Sequence, residues 1–318
     1  MNPSADPGLL QTIGGTPMVA LRHVVPPGSA RVWVKLESHN PTGSMKDRMA
    51  LAVVQGALAA GRLAPGGRVV EYTGGSTGTS LAFVCAAMGL PLTVVTSDAF
   101  SREKRDHMRA LGADVVELPS DGGKTTRALI ERMMARAAEL AAQPGCFYAD
   151  QFNNPDAAAG YAPLAEEALA QAQALGAGTV HAFVQSVGTA QCIGGVSAVL
   201  RGRSTATRIV AVEPAESPVL AGGAPGPHKI EGVGPGFVPP RWHAGIADEV
   251  MAVSTAEAKA MARRLAREEA LFAGTSTGAN VVAALRVAQA LGPGCHVLTL
   301  ACDNGLKYLS TDLYAPSA

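Results

Sequence analysis

Short runs of β-branched residues alternate along this chain with longer segments rich in alanine and leucine. This alternation is typical of βαβ units, in which parallel strands are joined by helices that pack on the faces of a sheet. The predicted strands span 31–36, 68–72, 92–96, 114–118, 179–185, 208–212 and 296–301. The predicted helices span 45–60, 77–88, 102–111, 124–142, 157–174, 189–200, 255–270 and 276–291. A chain of 318 residues is long enough for two sheets, so we predict an α/β protein with more than one lobe.

The charge balance narrows the range of partners. The chain carries 26 Lys and Arg against 26 Asp and Glu, so its formal net charge is zero. That balance gives no general attraction for nucleic acid or for an anionic membrane surface. The N-terminal residues show no basic region followed by an apolar run, and the five cysteines are scattered without metal-ligand spacing. We therefore predict a cytoplasmic protein with reduced thiols and without a bound metal.

Four segments share one design, in which a strand ends, small and hydroxylated residues follow, and a helix begins. In open α/β sheets such junctions bind ligands, because free N–H groups and the helix dipole point into the crevice beyond the strands. Four of them in one chain indicate one anionic ligand that is held from several sides. The segments are 40–48 (NPTGSMKDR), 72–80 (YTGGSTGTS), 185–192 (QSVGTAQC) and 274–280 (GTSTGAN).

Each junction also has an ordinary interpretation when it is judged alone. Lys46 sits in the first turn of a predicted helix, where a cation is disfavoured, but it could equally be a surface lysine beside Asp47 and Arg48. The glycine-rich segments lack the lysine of a Walker A loop and the spacing of a dinucleotide fingerprint. Hydroxyl-rich helix starts are often only N-caps.

Taken in order, the segments resemble one family. PTGSMKDR is similar to the segment around the cofactor-binding lysine of cysteine synthases and cystathionine β-synthases, which are fold type II pyridoxal phosphate enzymes. TGGSTG, VGTAQC and GTSTG resemble that family's substrate loop, phosphate loop and last helix start. Three further stretches agree with the same family: 13–17 (IGGTP), 228–239 (HKIEGVGPGFVP) and 303–311 (DNGLKYLST).

The resemblance implies a cofactor, pyridoxal 5′-phosphate, and a role for each matching residue. Lys46 would bind the cofactor covalently and move the α-proton of the substrate, and Ser276 would contact the ring nitrogen. Ser76 would lie beside the 3′-oxygen. The cofactor phosphate would be surrounded by Gly188, Thr189, Ala190, Gln191 and Cys192. The substrate carboxylate would be bound by Thr73, Gly74, Thr77 and Gln151.

The resemblance also implies two lobes, each an open, mostly parallel twisted sheet flanked by helices. Residues 1–42 and 153–318 would form the larger, cofactor-binding lobe, and residues 43–152 a smaller, mobile lobe that carries the substrate loop. It further implies a homodimer, and some relatives dock the tail of a partner acetyltransferase in the active site.

Three departures from the family pattern concern the substrate and cofactor contacts. Ser76 replaces an asparagine, Gly74 replaces a serine, and Ala190, Gln191 and Cys192 replace Gly, Gly and Thr. Because Gln191 is bulky, its side chain must point away from the phosphate or serve another purpose. Cys192 is interpreted as a packed residue and not as a reactive thiol.

The implied reaction is β-replacement on an O-activated serine, such as O-acetylserine, with sulfide or a related thiol as nucleophile. The alternatives are cystathionine β-synthase activity and β-elimination by a serine/threonine-type dehydratase or a cysteine β-lyase. Dehydratases usually have a run of glycines in the phosphate loop, and this chain does not. A binding protein without activity is disfavoured because Lys46 is present, and a nucleotide-binding Rossmann protein because the fingerprint is missing.

Overall fold

Two separate parallel sheets organise the chain in a computed structural model that describes residues 8–123, 126–204 and 206–314. The six-stranded sheet has the order β1-β2-β10-β7-β8-β9, and only its edge strand β1 is antiparallel to its neighbour. The four-stranded sheet has the order β5-β4-β3-β6 and is parallel throughout. The α/β prediction of two open, mostly parallel sheets flanked by helices is confirmed.

The strands are β1 (Met18–Ala20), β2 (Arg31–Lys35), β3 (Arg68–Tyr72), β4 (Leu92–Ser97), β5 (Asp114–Leu118), β6 (Cys146–Tyr148), β7 (Ala182–Ser186), β8 (Arg208–Pro214), β9 (Glu249–Val253) and β10 (His296–Leu300). The helices are α1 (Lys46–Ala59), α2 (Ser76–Met88), α3 (Arg102–Ala110), α4 (Arg127–Ala141), α5 (Asp156–Ala159), α6 (Ala162–Ala174), α7 (Gln191–Arg203), α8 (Thr255–Glu268) and α9 (Thr275–Leu291). Short 3₁₀ turns lie at Leu9–Thr12, Glu37–His39 and Gly305–Tyr308. No helix in the described part of the chain is both long and apolar enough to cross a membrane.

The predicted element pattern is right for the interior strands and for the edge strand β5, and it fails at the other three edge strands. The sequence pattern missed β1, β6 and β9, of which two have only three residues and β9 lies at the edge of its sheet. The single helix predicted over 157–174 is wrong, because α5 and α6 are separate and Pro163 lies in the first turn of α6. A proline lacks the N–H that a continuous helix would need at that point. The predicted start of a helix at 124 lies outside the described residues.

The two sheets draw their strands from different parts of the chain. All strands of the four-stranded sheet lie within residues 68–148, and the six-stranded sheet uses strands on either side of that stretch. Each sheet is buried against its helices, and Val94 and Val184 at the strand centres are fully buried. The lobe boundaries at 42/43 and 152/153, and any motion between the lobes, stay a prediction.

Candidate active site

The segment that follows β10 brings three of the four junctions together. The Met45 N–H donates to the carbonyl of Cys302 at 2.9 Å, and the Cys302 N–H donates to Thr277 Oγ1 at 3.0 Å. From the same helix α9, Asn280 Oδ1 accepts the N–H of Ser186, the last residue of β7, at 2.7 Å. The lysine junction, the start of α9 and the end of β7 therefore meet at the carboxyl edge of the six-stranded sheet, as expected for a ligand crevice in an open α/β sheet.

Helix α1 begins at Lys46, one position later than the predicted start. The Lys46 N–H donates to Ser44 Oγ at 3.2 Å. The side chain is half-buried, and its ammonium forms no ion pair or hydrogen bond with the described residues. A half-buried amine that has no protein partner is available to bind a ligand.

Ser276 and two thiols border the same space. Ser276 is 4% exposed, and its side chain lies close to the Cys302 thiol. Burial raises the pKa of Cys302 to about 11 and that of Cys192 well above its usual range, although the positive charge of Lys46 opposes both shifts. Both cysteines therefore stay neutral thiols near neutral pH, which agrees with a packing role for Cys192.

The junction after β7 turns sharply into α7. Ala190 has φ +64°, a left-handed conformation that glycine adopts without cost. A Cβ on Gly188 would lie 2.5 Å from the carbonyl oxygen of Gly232, so the backbone approaches that loop closely. The first helical hydrogen bond runs from the Gly194 N–H to the Ala190 carbonyl, which leaves the N–H groups at the start of α7 free for an anion.

The neighbours of β3 in the four-stranded sheet surround the predicted carboxylate loop. Gln151 follows β6 on one side of β3, and its Oε1 accepts the hydroxyl of Thr77 at 2.8 Å. Its Nε2 donates to the carbonyl of Tyr72 at 3.2 Å. Thr73 Oγ1 accepts the Gly75 N–H at 3.0 Å and so shapes the turn between them. Residues that lie 74 positions apart in the sequence thus form one polar surface.

Phe100 lies after β4, the second neighbour of β3, and explains the glycine at position 74. It follows β4, and its ring occupies the place that a Cβ on Gly74 would take. The serine of the family pattern therefore does not fit at position 74 beside this phenylalanine. Phe100 could not be singled out from the sequence, because no local pattern relates it to position 74.

Replacing Gly74 with serine is expected to lower the free energy of unfolding by about 1–3 kcal/mol, the usual cost of overpacking. The double variant Gly74→Ser with Phe100→Ala should recover part of that loss, since it removes the ring that the new side chain meets. Urea unfolding of the single and double variants measures both effects. Additive losses in the double variant would show that the two side chains do not collide.

An aspartate that the pattern did not single out lies between two of the predicted site segments. Asp303 is buried, and its Oδ2 accepts the Tyr308 hydroxyl at 2.6 Å and the Ser76 hydroxyl at 3.4 Å. Its Oδ1 is buried without a partner among the described residues. Nearby, burial lowers the pKa of Lys307 to about 8, and its ammonium also lacks a described partner. Ser76, which is shorter than the asparagine of the family pattern, is therefore oriented by a carboxylate.

Glu71 stabilises the loop that is predicted to bind the substrate carboxylate. It is fully buried at the end of β3, and its two oxygens accept the N–H groups of Tyr72 at 2.9 Å and of Gln151 at 3.1 Å. Burial, together with the neighbouring Asp150, raises the pKa of Glu71 to about 8. This carboxyl therefore joins the two segments that carry Thr73 and Gln151.

The pKa of Glu71 predicts a pH-dependent stability. Because the folded protein keeps this proton up to about pH 8, whereas the unfolded chain loses it near 4.5, folding becomes less favourable as the pH rises between those values. Relative to Glu71→Gln, the wild type should lose roughly 1.4 kcal/mol of unfolding free energy per pH unit in that interval. Urea unfolding at several pH values measures this slope, with the exposed Glu131→Gln as control. A wild type whose stability runs parallel to that of Glu71→Gln would contradict the assignment.

These residues fit a pyridoxal phosphate. The crevice offers a free amine at Lys46, a buried hydroxyl at Ser276 and free backbone N–H groups at the start of α7. It also holds buried oxygens of Ser186 and Asp303 that have no partner among the described residues and could accept or donate to a ligand. No cluster of three metal-ligating side chains occurs within the described ranges. Fold and site together define a fold type II pyridoxal phosphate enzyme.

Comparison with known proteins supports this class. The family described as "Pyridoxal-phosphate dependent enzyme" matches residues 9–303. A cysteine synthase of Staphylococcus aureus (strain Mu50) is 42% identical over 308 residues, which covers 96% of each chain. The O-ureido-L-serine synthase of Streptomyces lavendulae is 40% identical over 306 residues, which covers 96% of this chain and 92% of the other. The crystal structure of a cysteine synthase from Entamoeba histolytica has a TM-score of 0.89 and 34% identity, and the match covers 100% of this chain and 94% of that one. The chain belongs to the pyridoxal-phosphate dependent enzyme family.

Proposed function

We propose that this enzyme catalyses β-replacement on an O-activated serine, with sulfide or a related nucleophile, as cysteine synthases do. The observation that carries the proposal is the meeting of the lysine junction, the start of α9 and the end of β7 at one crevice. Relatives named cysteine synthase and O-ureido-L-serine synthase support the same reaction class. Pyridoxal phosphate, when bound, supplies an electron sink that allows an amino acid to lose its α-proton and then the group on its β-carbon.

We infer that two groups of residues hold the cofactor and the substrate. Lys46 would hold the cofactor covalently, and its Nζ would take the α-proton of the substrate. The hydroxyl of Ser276 contacts the ring nitrogen and that of Ser76 the 3′-oxygen. The phosphate lies against the backbone of Gly188, Thr189, Ala190, Gln191 and Cys192, and the substrate carboxylate against Thr73, Gly74, Thr77 and Gln151. A hydroxyl partner at the ring nitrogen leaves the nitrogen largely unprotonated, which suits loss of a β-substituent better than transamination.

Helix α3 supports a closed arrangement of the proposed smaller lobe. Lys104 forms an ion pair with Glu231, and its ammonium lies 4.5 Å from the centre of the Tyr308 ring. Beside it, the Glu103 carboxylate accepts the N–H and the hydroxyl of Ser310. These contacts join α3, a helix of the proposed smaller lobe, to two segments of the proposed larger lobe. Closure of this kind would exclude water while the β-carbon is reactive.

Product analysis tests the proposed reaction. Purified protein with added pyridoxal phosphate is incubated with O-acetylserine or O-ureidoserine, with and without sulfide. We expect a β-substituted amino acid to form only when the nucleophile is present. Release of pyruvate at the same rate with and without sulfide, and without any substituted product, would overturn β-replacement in favour of β-elimination.

We also propose a cytoplasmic homodimer. The five cysteines are free thiols in the structure, which supports a reducing compartment. The dimer rests on the family resemblance alone, as does the docking of an acetyltransferase tail. The mass of the purified protein by light scattering tests the dimer.

A further inference from the structure

We propose that Gln191 is a positioning residue that joins the cofactor-phosphate loop to the turn carrying the substrate-carboxylate residue Gln151. The proposal rests on the site assignment given under the proposed function. The family pattern has a glycine at position 191. Any role of the Gln191 side chain is therefore specific to this chain.

The turn at 150–154 exposes backbone carbonyls to a buried environment. Gln151 and Asn154 are 7% and 6% exposed, and Asp150 has φ +46°, which turns the chain sharply. Among the described residues, the Gln151 carbonyl accepts no backbone N–H, and the Asn154 carbonyl accepts one, from Ala157 at 3.3 Å. A buried carbonyl without a donor is costly, so this turn needs donors from outside, above all at Gln151.

Gln191 supplies them. Its side chain is 1% exposed, and Nε2 donates to the carbonyl of Asn154 at 3.0 Å and to that of Gln151 at 3.4 Å. Two carbonyls facing one amide fix the NH₂ group on that side, since only nitrogen can donate. From the exposed side, the Arg241 guanidinium donates to the carbonyl of Asn153. The turn, which straddles the proposed lobe boundary at 152/153, is thus held by side chains of the proposed larger lobe.

The two ends of Gln191 face different parts of the proposed site. Its backbone N–H belongs to the free N–H groups at the start of α7, where the phosphate is proposed to lie, while its amide holds the turn. On the opposite face of that turn the Gln151 side chain meets the Thr77 hydroxyl at 2.8 Å. A glycine at position 191 keeps the phosphate contact and loses the link, so Gln191 sets the position of Gln151 relative to the cofactor.

The test compares Gln191→Met, which keeps the size and removes the donor, with Gln143→Met at an exposed position. We expect the KM for O-acetylserine to rise about tenfold, the effect of leaving the buried Gln151 carbonyl unpaired, with kcat, the KM for sulfide and cofactor affinity within twofold of the wild type. Hydrogen exchange in residues 149–155 of the holoenzyme should become faster in Gln191→Met and stay unchanged in Gln143→Met. This second readout needs no turnover.

The outcomes separate the inference from the proposed function. An inactive wild type with faster exchange in Gln191→Met would reject the reaction and keep the positioning role. An active wild type with unchanged exchange and unchanged KM in Gln191→Met would overturn the positioning role. If Gln191→Met does not fold, the same measurements on Gln191→Asn decide. The shorter side chain of asparagine cannot reach both carbonyls, so we expect this variant to show a smaller rise of the KM.

Discussion

The Lys46→Ala variant is expected to be colourless and to lose turnover by about 1,000-fold or more, the combined loss of a covalent anchor and of a positioned proton carrier. The wild type should be yellow after purification or after addition of pyridoxal phosphate. Lys46 is suited to this chemistry because its amine is half-buried at a helix start and forms no ion pair with the described residues.

The measurement is the visible absorption of the purified variant and its turnover of O-acetylserine with sulfide. Lys229→Ala serves as control, since Lys229 is well exposed and its one ion pair among the described residues is with Asp312. The control should remain yellow and fully active. A colourless wild type that stays colourless with added cofactor would refute the assignment, as would a Lys46→Ala variant that keeps both colour and turnover.

The largest loss of stability is expected for Arg48→Met. Two residues after Lys46, the Arg48 guanidinium donates to both oxygens of Glu37 at 2.7 and 2.9 Å and to both oxygens of Glu167 at 2.8 and 2.7 Å. The fully buried Lys35 also donates to Glu167, at 2.7 Å. Although burial opposes it, hydrogen bonds from Arg48 and Lys35 lower the pKa of Glu167 to about 2. Glu167 therefore stays charged near neutral pH.

Removing the guanidinium leaves buried carboxylates without their main partner, and we expect unfolding to require about 3–5 kcal/mol less. Urea unfolding measures this change. The matched control is Arg264→Met, because Arg264 pairs with Glu268 on an exposed helix face and its loss should cost less than about 1 kcal/mol. Equal losses in the two variants would show that the buried network does not anchor α1.

The predicted fold came from periodicity that the sequence carries locally. The β-branched runs at β3 and β5 match their predicted bounds, because the paired valines in each run favour a strand locally. The three-residue β1 and β6 were missed, since so short an element has no period of its own and forms only by pairing with a neighbour. The break between α5 and α6 was missed because the alanine-rich pattern continues across it.

The candidate site was predictable where residues form a contiguous motif. Lys46, Ser276 and the loops at 73–77 and 188–192 could be singled out because each lies at a strand–helix junction that the sequence shows directly. Asp303, Glu71 and Phe100 could not, because their importance rests on contacts with residues far away in the chain. Asp303 touches Ser76 across 227 positions, and no local pattern encodes that meeting.

The sequence by itself determined the class of fold, because alternating strands and helices are a matter of local order. The resemblance of its ordered motifs to one family gave the cofactor and the prediction that Lys46, at the head of α1, binds it. Only the tertiary structure decided what Gln191 and Gly74 do. Gln191 faces the carbonyls of a turn that begins about forty positions earlier. At position 74, the ring of Phe100, which follows β4, occupies the space that a side chain would need. The physical reason is that hydrogen bonding and close packing act between side chains that folding brings together, so their partners follow from the register and order of the sheets.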